Sequence, residues 1–280
     1  MPVPKVETLL TLDFDVRGQF VDAFMDGRAR FDESRFLDGT IGAGAVGSLN
    51  TSGDPVTYAG EGEIQRLSLE RVASAFVIDW LSDPRYRGTI SGRFGVEGAG
   101  SGATMYLAST GRLEQATLFG GTLSAADVAL TVSDGSLSGS FDGRFAGVNP
   151  AVALGDERFD ATVTATGRVD FEVDDLLNAS PTIRDYHITT DLSVEPSVVA
   201  NLQVDAARIA ATLESGQVGG SLDASGPAFV LSANGGIALD ASGTSSLEFE
   251  ILRADLAMIG AHAGRTMAGH LSTRGRLTGP

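Results

Sequence analysis

Gly88–Gly98 reads GTISGRFGVEG, and Gly269–Gly279 reads GHLSTRGRLTG. Aligned without gaps, Gly88 meets Gly269, Ser91 meets Ser272, Arg93 meets Arg274 and Gly98 meets Gly279, while Ile90/Leu271 and Val96/Leu277 stay apolar in both. Each copy follows a short segment with helical spacing. A unit of helix-like piece, glycine, alternating strand and glycine predicts an elongated β architecture built from repeats. The chain is read as one repetitive β region over 1–280, with helical inserts near 67–81, 174–179 and 253–263.

Working outward, TLLTLDFDV at 8–16 alternates: Leu10, Leu12, Phe14 and Val16 face one way, Thr11, Asp13 and Asp15 the other. A hairpin is expected around Asp26-Gly27 within Phe20–Phe31, and a turn at Ser52-Gly53-Asp54-Pro55. LERVASAFVIDWL lacks Gly and Pro and reads as an amphipathic core helix closed by Ser82-Asp83-Pro84. From Ala103 to Val173 alternation is nearly continuous, with turn or bulge signals at Ser133-Asp134-Gly135 and Phe141-Asp142-Gly143. DDLLNASP at 174–181 is a second helix-like insert, and Arg253–Ala263 a third. The chain starts and stops inside strand-like sequence and is expected to be a segment of a longer protein.

The net charge of −16, with Lys5 the only lysine, excludes the clustered cations that phosphate binding needs, so no nucleic-acid partner is expected. No cysteine is present, which removes disulfides, thiolate catalysis and cysteine metal sites. MPVPKVETLL does not read as a signal peptide, so none is expected at this point, and no apolar run reaches the length of a membrane span. The three histidines, His187, His262 and His270, are not at metal-ligand spacing, and no G-x-S-x-G elbow supplies a nucleophile. No catalytic residue, metal or cofactor is therefore assigned. Gly42-Ala43-Gly44-Ala45-Val46-Gly47 spells a dinucleotide fingerprint, but turn residues and Pro55 follow where a helix should begin. Asp13, Asp15 and Gly18 imitate the start of a calcium loop, yet Arg17 and Phe24 stand where oxygen ligands belong.

The apolar strand faces must be hidden, either against a second sheet or inside a curled one. In the first case they are ordinary core; in the second they line a trough that acyl chains would fill. The candidate lining residues are Leu10, Leu12, Phe14, Val16, Val128, Leu130, Val132, Val169, Phe171, Val173, Leu202, Val204, Phe229, Leu231, Leu247, Phe249 and Ile251. Arg93 and Arg274 fall on the opposite, wet face.

The runs TGRLEQATLFGGTLSAADVALTVSDGSLSGSFDGRF, LSLERV with YRGTISGRFGVEGAG, and ADLAMIGAHAGRTMAGHLSTRGRLTG resemble the AsmA-like and TamB (translocation and assembly module) repeats of Gram-negative envelope proteins. That family interrupts Gly-punctuated strands with "Asp-Leu" helical inserts like Asp175-Leu176 or Asp255-Leu256. The resemblance covers essentially the whole chain. It implies a mainly β fold, a curled "β-taco" sheet with an apolar groove and a few short helical inserts, which carries phospholipid across the periplasm between inner and outer membranes. Membrane contact would come through an anchor of the parent protein; the resemblance names no outer-membrane partner. The alternative reading is a structural β-solenoid or sandwich of a surface or adhesin protein, steadied by calcium at its Asp-Gly turns. A carbohydrate-active β enzyme ranks last.

Overall fold

The computed structural model describes residues 8–19, 24–76, 80–100, 105–154, 157, 160–175, 182–199, 202–239, 243–262 and 264–279. The protein is mainly β, with antiparallel strands in a sheet that does not close and only a few short helices. It divides into two compact units, Met1–Phe141 with Asp175–Ser180, and Asp142–Asp174 with Pro181–Pro280.

The first unit holds β1 (Thr8–Leu9), β2 (Leu12–Gln19), β3 (Phe24–Phe31), β4 (Ser34–Phe36), β5 (Gly39–Ile41), β6 (Val46–Asn50), β7 (Thr57–Ser68), α1 (Leu69–Phe76), β8 (Thr89–Ala99), β9 (Tyr106–Leu118) and β10 (Gly121–Ser133). The unit boundary falls within β11 (Ser136–Val148). The second unit holds α2 (Pro150–Leu154), β12 (Ala161–Val173), β13 (Tyr186–Val194), β14 (Ser197–Val199), β15 (Leu202–Val204), β16 (Ala206–Glu214), β17 (Gln217–Gly226), β18 (Phe229–Ala238), β19 (Ser245–Asp255), α3 (Leu256–His262) and β20 (His270–Gly279).

In the first unit the antiparallel ladder runs β2, β3, β6, β7, β8, β9, β10. In the second it runs β12, β13, β16, β17, β18, β19, β20. Two-residue turns with positive φ at both positions join β4 to β5 (Leu37-Asp38), β9 to β10 (Phe119-Gly120), β10 to β11 (Asp134-Gly135) and β16 to β17 (Ser215-Gly216). This is the turn geometry whose twist matches the strands it joins.

Each unit closes one end of its ladder in the same way. Ser34 is 3 % exposed; its hydroxyl accepts from the Thr11 backbone N–H (3.0 Å) and has the Asp32 and Thr11 carbonyls at 2.9 and 3.2 Å as acceptors for its proton. Ser197, 6 % exposed, repeats this: it accepts from Thr164 N–H (2.9 Å), with the Glu195 and Thr164 carbonyls at 2.8 and 3.4 Å. A side chain thus supplies hydrogen bonds that the ladder does not; the strand breaks at Thr11, between β1 and β2, while β12 runs on through Thr164 and changes partner from β14 to β13. Beyond each serine a short hairpin, β4–β5 or β14–β15, pairs back onto its own unit, β4 with β1 and β5 with β7 in the first, β14 with β12 in the second. Two clusters of buried residues sit there: Leu37, Leu67 and Ala75 in the first unit, Val204, Ala228 and Phe229 in the second.

Several local expectations change. The strand expected over 8–16 is two pieces, because Ser34 takes the Thr11 N–H. Asp26-Gly27 lies inside β3, with Gly27 opposite Val16; the connection from β2 falls at 20–23, outside the described residues. Phe141-Asp142-Gly143 is mid-strand in β11. The helix is described over Leu69–Phe76, and by Trp80–Ser82 and Pro84–Tyr86 the chain is in short 3₁₀ turns, so the helix does not reach the expected end at 81. Of the insert at 174–179, only Asp174 and Asp175 are described. The third insert is α3. The helix α2 interrupts what reads as continuous alternation.

Candidate functional site

Because side chains alternate along a strand, the register assigns every ladder residue to a face. In the second unit one face consists of four rows. Ala165, Val194, Ala207, Ala224, Leu231 and Ile251 form the row nearest the closed end. Next come Gly167, Leu192, Ile209, Leu222, Ala233 and Phe249, then Val169, Thr190, Ala211, Gly220, Gly235 and Leu247. Phe171, Ile188, Leu213, Val218 and Ile237 form the last. No charged side chain interrupts these rows. The opposite face carries Arg168, Asp170, Asp191, Arg208, Asp223, Glu248, Glu250, Arg274 and Arg276.

The two faces differ in exposure: Val169, Leu192, Ile209, Leu222, Leu247 and Phe249 are half-buried, whereas Arg168, Asp191, Arg208, Asp223, Glu248 and Glu250 are exposed. No large side chain among the described residues is fully buried. Aromatic rings lie across glycines on the neighbouring strand. The Phe249 ring stands 2.9 Å from where a Cβ on Gly275 would be, and Phe94 covers Gly111 in the first unit. Such pairs fill a gap that a glycine opens in the pleat.

The first unit has an apolar face of the same kind. Phe14 connects through Ala29, Gly47, Gly60, Val96 and Ser109 to Leu130, and Val16 through Gly27, Leu49, Tyr58, Gly98 and Leu107 to Val132. It is more open: Phe14 is 72 % exposed and Leu49 48 %.

The sequence-derived lining residues therefore fall into distinct environments. Val169, Phe171, Leu247, Phe249 and Ile251 share the open face of the second unit. Val204 and Phe229 are in the buried cluster, with Leu202 and Leu231 packed against it, and Val173 is buried beside Tyr186. Phe14, Val16, Leu130 and Val132 share rows in the first unit, and Leu12 and Val128 have the same parity on their strands. Leu10 lies in the break between β1 and β2. Sequence reasoning passed over Ile188, Leu192, Ile209, Leu213 and Leu222, although β13 and β16 alternate as cleanly as the strands it chose.

A depression of about 970 Å³ lies on the other side of the first unit. Its lining holds two whole rows of the charged face, Asp13 through Arg30 and Glu61 to Thr110 and Asp15 through Arg28 and Glu97 to Ala108, and it also touches Phe14, Ala29, Gly47, Gly60 and Val96 of the row between them. It opens onto the charged face, with Ser48, Ala59 and Gly95 on its floor. Asp13 and Asp15 stand on β2, alternating with Phe14, rather than in a loop that could wrap an ion. The residues after Gly44, which a dinucleotide site would need as a helix, form β6.

Charges elsewhere are satisfied pairwise at the surface. Arg168 donates to Asp170 through Nε (2.7 Å) and a terminal nitrogen (2.6 Å), which holds the Asp170 carboxyl below its usual range. Arg144 does the same to Glu195. Exposed pairs of this kind add little stability. Arg93 and Arg274 lie on the charged face, opposite Glu63 and Glu250. Among the described residues no group of three His, Asp or Glu gathers as a metal site would, and no helix is long and apolar enough to cross a membrane. Comparison with protein-family models, curated proteins and solved structures finds no match.

Proposed function

We propose that this chain is a lipid-shielding segment, one whose apolar sheet face holds the acyl chains of phospholipid while its charged face meets water. The observation that carries this reading is the uninterrupted apolar face of the second unit, half-buried and without a charged group in four rows. An apolar area of that size on a protein surface marks a place where something apolar sits. Acyl chains fit, since each CH₂ withdrawn from water contributes about 0.8 kcal/mol and retention then needs no ionic clamp.

On this reading the chain is a carrier rather than an enzyme. The resemblance of its repeats to AsmA-like and TamB sequences supplies the setting: the periplasm, between inner and outer membranes, as part of a longer bridge. Native mass spectrometry of the purified chain with lipid extraction tests it. Co-purifying phospholipid is the expected result. A lipid-free protein whose melting temperature depends on calcium would overturn it in favour of a structural surface protein.

A further inference from the structure

The two ladders leave two strands with one side uncovered: among the described residues β2 pairs only with β3, and β20 only with β19. Neither strand carries the Pro or Lys that commonly blocks a sheet edge. Apolar side chains stand exposed along both, Phe14 at 72 %, Val16 at 42 % and Leu277 at 60 %. Each edge also continues an alternation already set inside the chain. On β20, Arg274 lies opposite Glu250 and Arg276 opposite Glu248, with Gly275 and Phe249 between them. On β2 the signs and sizes are reversed: Asp13 lies opposite Arg30 and Asp15 opposite Arg28, with Phe14 and Ala29 between them. One edge therefore ends on base, glycine, base and the other on acid, phenylalanine, acid.

The backbone decides how two such edges can meet. The Thr11 carbonyl accepts from Asp32 N–H on the β3 side, so by alternation Asp13 and Asp15 turn their peptide groups to β3, and Leu12, Phe14 and Val16 turn theirs outward. The Gly269 carbonyl accepts from Leu256 N–H, directly after β19, so by the same alternation Arg274 and Arg276 turn theirs outward. The outward groups thus belong to apolar-face residues on β2 and to charged-face residues on β20. Antiparallel strands bond each residue to the one opposite on the same face, which these edges cannot do with their faces matched. In a parallel pair each residue bonds to the two that flank its opposite, which they can.

We infer that β20 of one copy of this chain pairs in parallel with β2 of a second copy, Arg274 beside Asp13, Gly275 beside Phe14, Arg276 beside Asp15 and Leu277 beside Val16. Two rows then alternate in sign across the junction, from Glu250 through Arg274 and Asp13 to Arg30, and from Glu248 through Arg276 and Asp15 to Arg28. The row between them alternates large and small: Phe249, Gly275, Phe14, Ala29. Like edges would instead set arginine beside arginine or aspartate beside aspartate, which is unfavourable. Because the two surfaces differ, a pair of copies keeps one uncovered edge of each kind, and the assembly is open-ended. The inference is independent of lipid binding.

The chain has no cysteine, so single introduced cysteines report the junction. Full-length Val16→Cys and Leu277→Cys copies are mixed under mild oxidation. Disulfide-linked dimer should form at least about tenfold faster in the mixture than for either variant alone, the equivalent of removing one like-charge contact. Leu12→Cys in place of Val16→Cys is the control for direction: antiparallel pairing of the same charges would bring Leu12 to Leu277, whereas parallel pairing keeps them apart. Sedimentation velocity of the unaltered chain should show a mass that rises with concentration. Arg274→Gln combined with Arg276→Gln should weaken that association about fivefold, the worth of two exposed ion pairs. Should that variant not fold, high salt should weaken the association of the unaltered chain in the same direction. Equal crosslinking by either cysteine variant alone, preferential crosslinking through Leu12, or a mass that stays that of one chain at every concentration overturns the inference. An association indifferent to salt overturns it too.

Discussion

Ser34 and Ser197 are the only buried polar side chains among the described residues, and each fastens the same three-way contact in its own unit. Removing the Ser197 hydroxyl strands the Thr164 N–H in a half-buried site, so Ser197→Ala should destabilise the protein by about 1–3 kcal/mol in urea denaturation. Exposed Ser193→Ala should change it by no more than about 0.5 kcal/mol. Glycine behaves as selectively. Gly167 has φ +151°, and a Cβ there would run into the Asp191 carbonyl; nothing lies within 4 Å of one on Gly279. Gly167→Ala should therefore cost about 1–3 kcal/mol, and Gly279→Ala close to nothing, by the same denaturation measurement. Gly and Ser stand plainly in the sequence, but which of them matter does not, because the atom each would strike or satisfy belongs to another strand.

The repeated glycine motif acquires its meaning from the helices before it. Leu69 N–H donates to the Gly88 carbonyl at 3.0 Å, and Leu256 N–H to the Gly269 carbonyl at 2.9 Å, so both inserts leave and rejoin the sheet by the same bond. Ser68 Oγ accepts from Arg71 N–H, and Asp255 Oδ1 from Ala257 and Met258 N–H (2.9 and 3.3 Å). Asp255→Ala should cost about 1 kcal/mol, measurable as a lowered denaturation midpoint, because it removes the acceptor for α3's first donors. The inserts at α1 and α3 were legible, since a change from period two to helical spacing is a local property. The helix α2 was not read, although Asn149-Pro150 signals it: Asn149 Oδ1 accepts from Ala151 N–H at 2.9 Å, and Pro150 takes the first helical position. Apolar residues on both sides, taken as one alternating run, hid a five-residue helix.

Across the whole molecule, phenylalanines with the same sequence signature should respond differently. Phe229, 8 % exposed, packs in the closed cluster with Val204 and Ala228, while Phe171 lies half-buried in the row farthest from it. Phe229→Asp should lower unfolding free energy by at least about 3 kcal/mol, through lost packing and a buried charge. Phe171→Asp should leave circular dichroism and melting nearly unchanged and instead reduce the phospholipid recovered with the protein. Equal destabilisation by both would mean that the face with Phe171 is core. The sequence by itself determined that the strands have one apolar and one charged face, because side-chain direction in a strand depends only on parity along the chain. It also carried the repeat and two of the helical excursions, which are equally local. Only the tertiary structure decided which apolar residues close a core and which remain on an open face. That division depends on register and on contacts such as Ser197 with Thr164, 33 residues apart, where partners far apart along the chain fix each other's place.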